Sequence, residues 1–233
     1  MTDVTPGDAK SDAGRKIPTS WWLRVGHDLR GPIAPIRMAI QLLRAGKLPP
    51  PEQSEAWKLI DRQLDQLLAG VDDVSELMRL EAGRLGFRPE LADLRGMFDL
   101  LEARGQLGRE FAKKNTSLRV ESWPSPLLAM HDPQRLSTVL EFLLAKFSNQ
   151  LPDGSIIVLS LRREQLAAVW TIQGGTDKLA QDAEIRFVMG ESGAIGDCEG
   201  RALLVRELSA MQAISFHALQ PQEGLVFSMP LEP

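Results

Sequence analysis

The tightest constraint in the sequence is a set of apolar residues, Trp22, Val25, Leu29, Ile33, Ile36, Ile40 and Leu43, that follow one another at spacings of three and four. On a helix this spacing makes one continuous apolar stripe, so an amphipathic helix is expected here, with its stripe packed against something else. Thr19 or Ser20 can cap that helix, and Ala45-Gly46 ahead of Pro49-Pro50-Pro51 ends it. His27 lies off the stripe. At roughly 100° per residue it stands about 200° from both Val25 and Leu29, which turns the imidazole toward water. Asp28 adjoins it, and Arg24 and Arg30 lie one turn away on either side. Pro in a helix interior costs about 3 kcal/mol, so Pro32 predicts a kink just past the histidine.

A second stripe, Trp57, Ile60, Leu64, Leu67, Val71, Val74 and Met78, alternates the same spacings between about residues 52 and 82, the pattern of a coiled-coil seam. Gly83 and the stretch Leu85-Gly86-Phe87-Arg88-Pro89 end it. Two long amphipathic helices joined by a short loop form an antiparallel hairpin, but one hairpin cannot enclose both stripes. Pairing two copies into a four-helix bundle does, so a homodimer is expected.

The second half reads as α+β. A helix is expected over residues 94–114, with Phe98, Leu101 and Phe111 inward, then strands at 117–121 and 127–130. Asp132 followed by Pro133 opens a helix that buries Leu136, Val139, Leu140, Leu143, Leu144 and Phe147. Alternating segments at 155–161, 166–172 and 225–229 are predicted strands. Between the last two lie a helix at 201–212 and a short strand at 214–217. Residues 1–18 are small, polar and interrupted by Gly and Pro, the composition of a disordered tail.

With 233 residues, a core or two can form. The net charge of −4 and the dispersed Lys and Arg residues give no nucleic-acid footprint. No apolar run approaches the roughly 20 residues of a spanning helix, and residues 1–16 lack a signal-peptide core, so no membrane role and a cytoplasmic location are expected. The single cysteine, Cys198, excludes an internal disulfide and fits a reducing compartment. Cys198 has no base in sequence reach and reads as a small filler. His131 and His217 lack metal-ligand spacing and read as structural or surface groups, so no metal is expected on this chain.

The box His27-Asp28-Leu29-Arg30-Gly31-Pro32 resembles the phosphoacceptor motif of two-component histidine kinases. Leu80-Glu81-Ala82-Gly83-Arg84-Leu85 is similar to the junction that closes the kinase hairpin, and the later elements resemble the family's ATP-binding domain. The resemblance runs from about residue 20 to the C-terminus. It implies an α+β protein with a hairpin at 19–86, paired into a four-helix bundle, and at 87–233 an α/β sandwich like the histidine kinase ATPase domain. His27 would be the phosphoacceptor, Asp28 would orient its ring or hold its proton, and Arg30 or Arg24 would offset phosphoryl charge.

The nucleotide boxes depart from the family. Asp132-Pro133-Gln134-Arg135-Leu136 and Gly154 set the register, which puts Lys146 where the family has a Mg²⁺-binding Asn. The next box reads Gln173-Gly174-Gly175-Thr176-Asp177, so Gln173 replaces an Asp and Asp177 replaces a Gly. The third reads Gly196-Asp197-Cys198-Glu199-Gly200, with Cys198 for the middle Gly and two acids, Asp197 and Glu199, beside the expected phosphates. At about 4 Å each like-charge contact costs on the order of 1 to 4 kcal/mol. The implied function is a histidine phosphotransferase that relays a phosphoryl group between receiver-domain aspartates through His27, without ATP. No cofactor is expected on this chain, and Mg²⁺ would sit on the partner receiver. The alternatives are a divergent kinase that binds ATP and a receiver-binding adaptor that never carries phosphate. Gly31 stands where phosphatase-competent kinases place a water-positioning side chain, so transfer without efficient phosphatase activity is expected.

Overall fold

A computed structural model describes residues 17, 19–104, 111–112, 114–174, 182–190, 200–220 and 224–232. The chain divides into two compact units, residues 1–86 and 87–233.

The first unit is helical, with α1 (Thr19–Asp28), α2 (Ile33–Arg44) and α3 (Pro50–Glu81). The expected kink is a full break. Residues 29–32 form a turn, because Pro32 has no N–H to give and its ring would strike the carbonyl one turn back. Pro32 is itself buried. Gly46, at φ 64°, terminates the α2 side of the connection, and Pro50 and Pro51 occupy the first turn of α3, where no intrahelical donor is required. Both α1 and α2 pack on α3. The α3 stripe divides into two columns. Ile60 is buried and Leu67 and Val74 half-buried, whereas Trp57, Leu64, Val71 and Met78, seven residues apart, are 56%, 42%, 45% and 58% exposed. Ile17 is also buried, and its amide donates to Glu81 at the end of α3 (3.3 Å).

The second unit carries a five-stranded sheet of order β2-β4-β5-β7-β6: β2 (Ser117–Glu121), β4 (Ile156–Glu164), β5 (Ala167–Gln173), β6 (Ser215–Gln220) and β7 (Gly224–Pro230). The β2–β4 pair is parallel and the rest are antiparallel. Strands β5 and β7 alternate buried and open positions as a one-sided sheet requires, and β4 does so until Leu159, Ser160 and Leu161, which are all buried. Their inward residues Leu159, Leu161, Trp170, Ile172, Leu225 and Phe227 are fully buried. Trp170 stacks on Phe227 (6.1 Å between centroids, 4° between planes) and tilts against Phe98 (5.6 Å). Facing the sheet are α4 (Gly96–Arg104), α5 (Pro133–Gln150), a short α6 (Ala183–Val188) and α7 (Gly200–Met211).

Two elements differ from the sequence expectation by their presence. Strand β1 (Glu90–Asp93) pairs antiparallel with β3 (Leu128–His131) in a separate two-stranded ribbon, and α6 follows Gln173. The helix expected over 94–114 begins only at Gly96, because Asp93 ends β1 in a turn whose carboxylate accepts from the backbone of Arg95 and Leu127. Residues 105–110 and 113 lie outside the described residues. The longest helix of this unit, α5, starts as expected. Asp132 accepts from the amides of Gln134 and Arg135, and Pro133 takes the first helical position. His131 is buried with Nδ1 3.0 Å from the Ala129 carbonyl, while exposed His217 shares a hydrogen bond with Ser228.

Candidate functional site

His27 occupies the last turn of α1, and its side chain is exposed. The break that follows is held by short-range bonds: the His27 carbonyl accepts from the amides of Arg30 (3.0 Å) and Gly31 (3.2 Å), and Leu29 still donates to Val25 (2.9 Å). A helix interrupted here places the imidazole at a C-terminal end, where the aligned peptide dipoles leave partial negative charge. A phosphoryl group on the ring therefore needs a cation nearby. Arg30 is exposed, and its guanidinium folds back along α1, where a Cβ at Gly26 would stand 3.8 Å from Nη1. Thus the described residues bring Arg30 beside the residue that precedes His27. Asp28 closes α1; its side chain lies outside the described residues, as does that of Arg24.

In the second unit, Lys146 projects from α5 and forms an ion pair with Glu184 in the first turn of α6. The pair is largely shielded, with side-chain exposures of 22% and 13%, and the ammonium also lies 5.5 Å from the Phe142 ring centroid. A second bond ties the same helices together, from Gln150 Nε2 to Asp182 Oδ2 (3.2 Å). Asp182 caps α6 through the amides of Glu184 and Ile185. Gln173 is exposed at the end of β5, followed by Gly174 at φ 112°, where a Cβ would come 2.7 Å from the Ile156 carbonyl oxygen. No other residue fits there without moving backbone. Asp177, Cys198 and Glu199 lie outside the described residues. Asn149 is exposed, and its carbonyl accepts from Lys114 at the end of α5 (2.7 Å).

Glu184 was not singled out from the sequence. The signal was present in Asp182 followed by Glu184 ahead of Ile185 and Phe187, an N-cap with an acid in the first turn. Among the described residues, no three His, Cys, Asp or Glu side chains gather as metal ligands, and no helix is long and apolar enough to cross a membrane.

Residues 24–83 match the His Kinase A (phospho-acceptor) domain. The fold of the whole chain is similar to that of the Acinetobacter baumannii histidine kinase AdeS, at 16% identity and a TM-score of 0.63, over 89% of this chain and 98% of that one. It is also similar to the histidine kinase ThkA, solved in complex with the response regulator TrrA, at 14% identity and a TM-score of 0.61, over 92% of this chain and 62% of ThkA. A bacterial phosphotransferase is matched over 95% of this chain and 100% of that one, at 15% identity and a TM-score of 0.52. Comparison with curated protein sequences finds no match. These likenesses define the fold, a phosphoacceptor hairpin followed by an ATPase-like α/β domain. Residues 24–83 thus match the phospho-acceptor domain, within a chain whose fold is like that of histidine kinases.

Proposed function

We propose that this chain is a histidine phosphotransferase that relays a phosphoryl group between response regulator receiver domains and does not phosphorylate itself from ATP. An imidazole nitrogen of His27 attacks the phosphorus of an aspartyl phosphate. The acyl P–O bond breaks, a P–N bond forms, and the receiver carboxylate leaves. The reverse attack by a second receiver's Asp returns the imidazole. The chemistry asks little of this chain beyond an imidazole nitrogen that a receiver domain can reach. Arg30 offsets the charge carried on His27, Asp28 orients the ring, and Mg²⁺ sits on the receiver. With Gly31 after the box, no side chain there positions a water, so phosphate leaves mainly by transfer.

The observation that carries the reading is the Lys146–Glu184 pair. Mg²⁺ demands oxygen ligands in near-octahedral geometry. At the position where the family offers an Asn oxygen, this chain offers an ammonium that Glu184 already neutralises. A magnesium-bound triphosphate does not fit that arrangement, and no step is assigned to one. The exposed column Trp57, Leu64, Val71 and Met78 supports a homodimer, because a second copy brings an identical column and closes the bundle.

Two labelling experiments test this. Incubation with a ³²P-labelled receiver places acid-labile phosphate on the wild-type chain and none on His27→Gln. Incubation with labelled ATP and Mg²⁺ leaves the chain unlabelled. Label from ATP alone means a working kinase, and receiver binding unchanged by His27→Gln with no label in either arm means an adaptor.

A further inference from the structure

We infer that Gly70, on α3, is a positioning residue for His27; the inference rests on the phosphotransfer reading above. A Cβ added at Gly70 would lie 2.9 Å from Leu29 Cδ2, well inside the roughly 3.5 Å at which two carbon atoms make their closest favourable contact. Glycine is a poor choice inside a helix that spans Pro50–Glu81, so a close approach explains its presence there. Leu29 therefore seats directly on the α3 backbone. It is the first residue past α1, still bonded to Val25, and the side chains of Leu29 and His27 stand about 200° apart around the helix axis. What holds Leu29 in holds the imidazole out.

The seat matters because α1 gives way to a turn at residues 29–32 before α2 begins, so the Leu29 contact, with the His27 carbonyl bonds and the Leu29 ladder bond, helps set where the ring stands. A methyl group at position 70 must displace Leu29 Cδ2 by about half an ångström or more, and in this inference the last turn of α1 takes up that shift. In-line transfer is sensitive to such a shift, since a misplacement of about 1 Å can cost on the order of a hundredfold in rate.

The test compares wild type, Gly70→Ala and the pair Gly70→Ala with Leu29→Val, which removes the clashing carbon. Transfer from a phosphorylated receiver is expected to slow roughly 10- to 100-fold in Gly70→Ala and to recover in the pair. The His27 imidazole Hε1 resonance should shift in the single variant and return in the pair. Reaction with phosphoramidate, a small donor that releases ammonia as it phosphorylates an accessible imidazole, should stay near wild type in all three. If Gly70→Ala leaves both the resonance and the transfer rate unchanged, the leucine has merely rotated and the inference is overturned. A resonance that shifts and returns, in a chain that no receiver phosphorylates, keeps the Gly70 coupling and removes the relay reading. Should Gly70→Ala not fold, Leu29→Ala empties the same contact from the other side. The resonance is then expected to shift, and an unmoved one overturns the inference.

Discussion

In the hairpin, Trp57, Leu64, Val71 and Met78 meet solvent at every seventh residue; in the C-terminal unit, Leu159, Trp170 and Phe227 are wholly enclosed between sheet and helices. The difference separates two ways of keeping a fold. A hairpin of long helices has no inside until another surface closes it, so this one keeps an apolar column facing outward along with the exposed His27. The C-terminal unit closes its own core, and that core does not depend on what sits at the rim. Residues at the rim can therefore change there at little structural cost, provided each charge has a partner, as Lys146 has Glu184.

The largest effect expected from breaking this contrast lies in the hairpin. Leu64→Glu with Val71→Glu puts charges into the exposed column, and a dimer closed over that column would bury them at several kcal/mol per ion, about 5 to 10 kcal/mol for each chain. Sedimentation should show a wild-type dimer and a monomeric variant, with the melting of the C-terminal unit unchanged. The converse variant, Trp170→Ala, removes a large ring from between Phe98 and Phe227 and should cost that unit about 3 to 5 kcal/mol in denaturant melts. Dimerisation and receiver-dependent labelling of His27 should survive it. If both properties fall together in either variant, the two units are not energetically separate.

A smaller effect tests the proposed loss of nucleotide chemistry. Lys146→Met takes the Lys146 ammonium from Glu184 in a mostly shielded place and should destabilise the C-terminal unit by about 1 to 3 kcal/mol, between the values for exposed and buried pairs. Adding Glu184→Gln should return much of that loss, because the shielded negative charge is gone. A non-additive double-mutant cycle identifies the pair as a structural tie.

Much of this contrast was legible in the sequence. The period of three and four in residues 22–43 and 57–78 anticipates the hairpin helices, and the Asp132-Pro133 cap anticipates the start of α5, because both signals act within one or two turns of chain. The division of the α3 stripe into a covered and an uncovered column was not legible, since it depends on where α1 and α2 lie. Strand β1 was hidden because Glu90-Leu91-Ala92-Asp93 has no strand composition of its own and is ordered by pairing with β3. The Lys146–Glu184 tie joins residues far apart in sequence, and the Gly70 seat is a matter of ångströms. Neither leaves a local pattern.

The smallest effect returns to the ribbon that the sequence hid. Asp93 is the carboxylate at its end. Burial, the largest single influence, pushes this carboxyl up, but the Arg95 side chain, the amides of Leu127 and Arg95 and the Arg95 charge together hold it below the ordinary range. A carboxyl lowered in the folded state stabilises fully above its unfolded pKa, about 3.9, and the benefit is lost as pH falls through the lower folded value. Wild type should therefore lose stability as pH falls below about 4 by more than Asp93→Asn does. At neutral pH, Asp93→Asn should cost about 1 kcal/mol or less, because the ion pair is partly solvated and Asn can still accept the backbone bonds. The loss should appear in melts of the C-terminal unit and leave the hairpin's dimerisation untouched. A change in sedimentation caused by Asp93→Asn would show that the ribbon and the hairpin are coupled, and the contrast between a self-sufficient unit and a partner-dependent one would have to be redrawn.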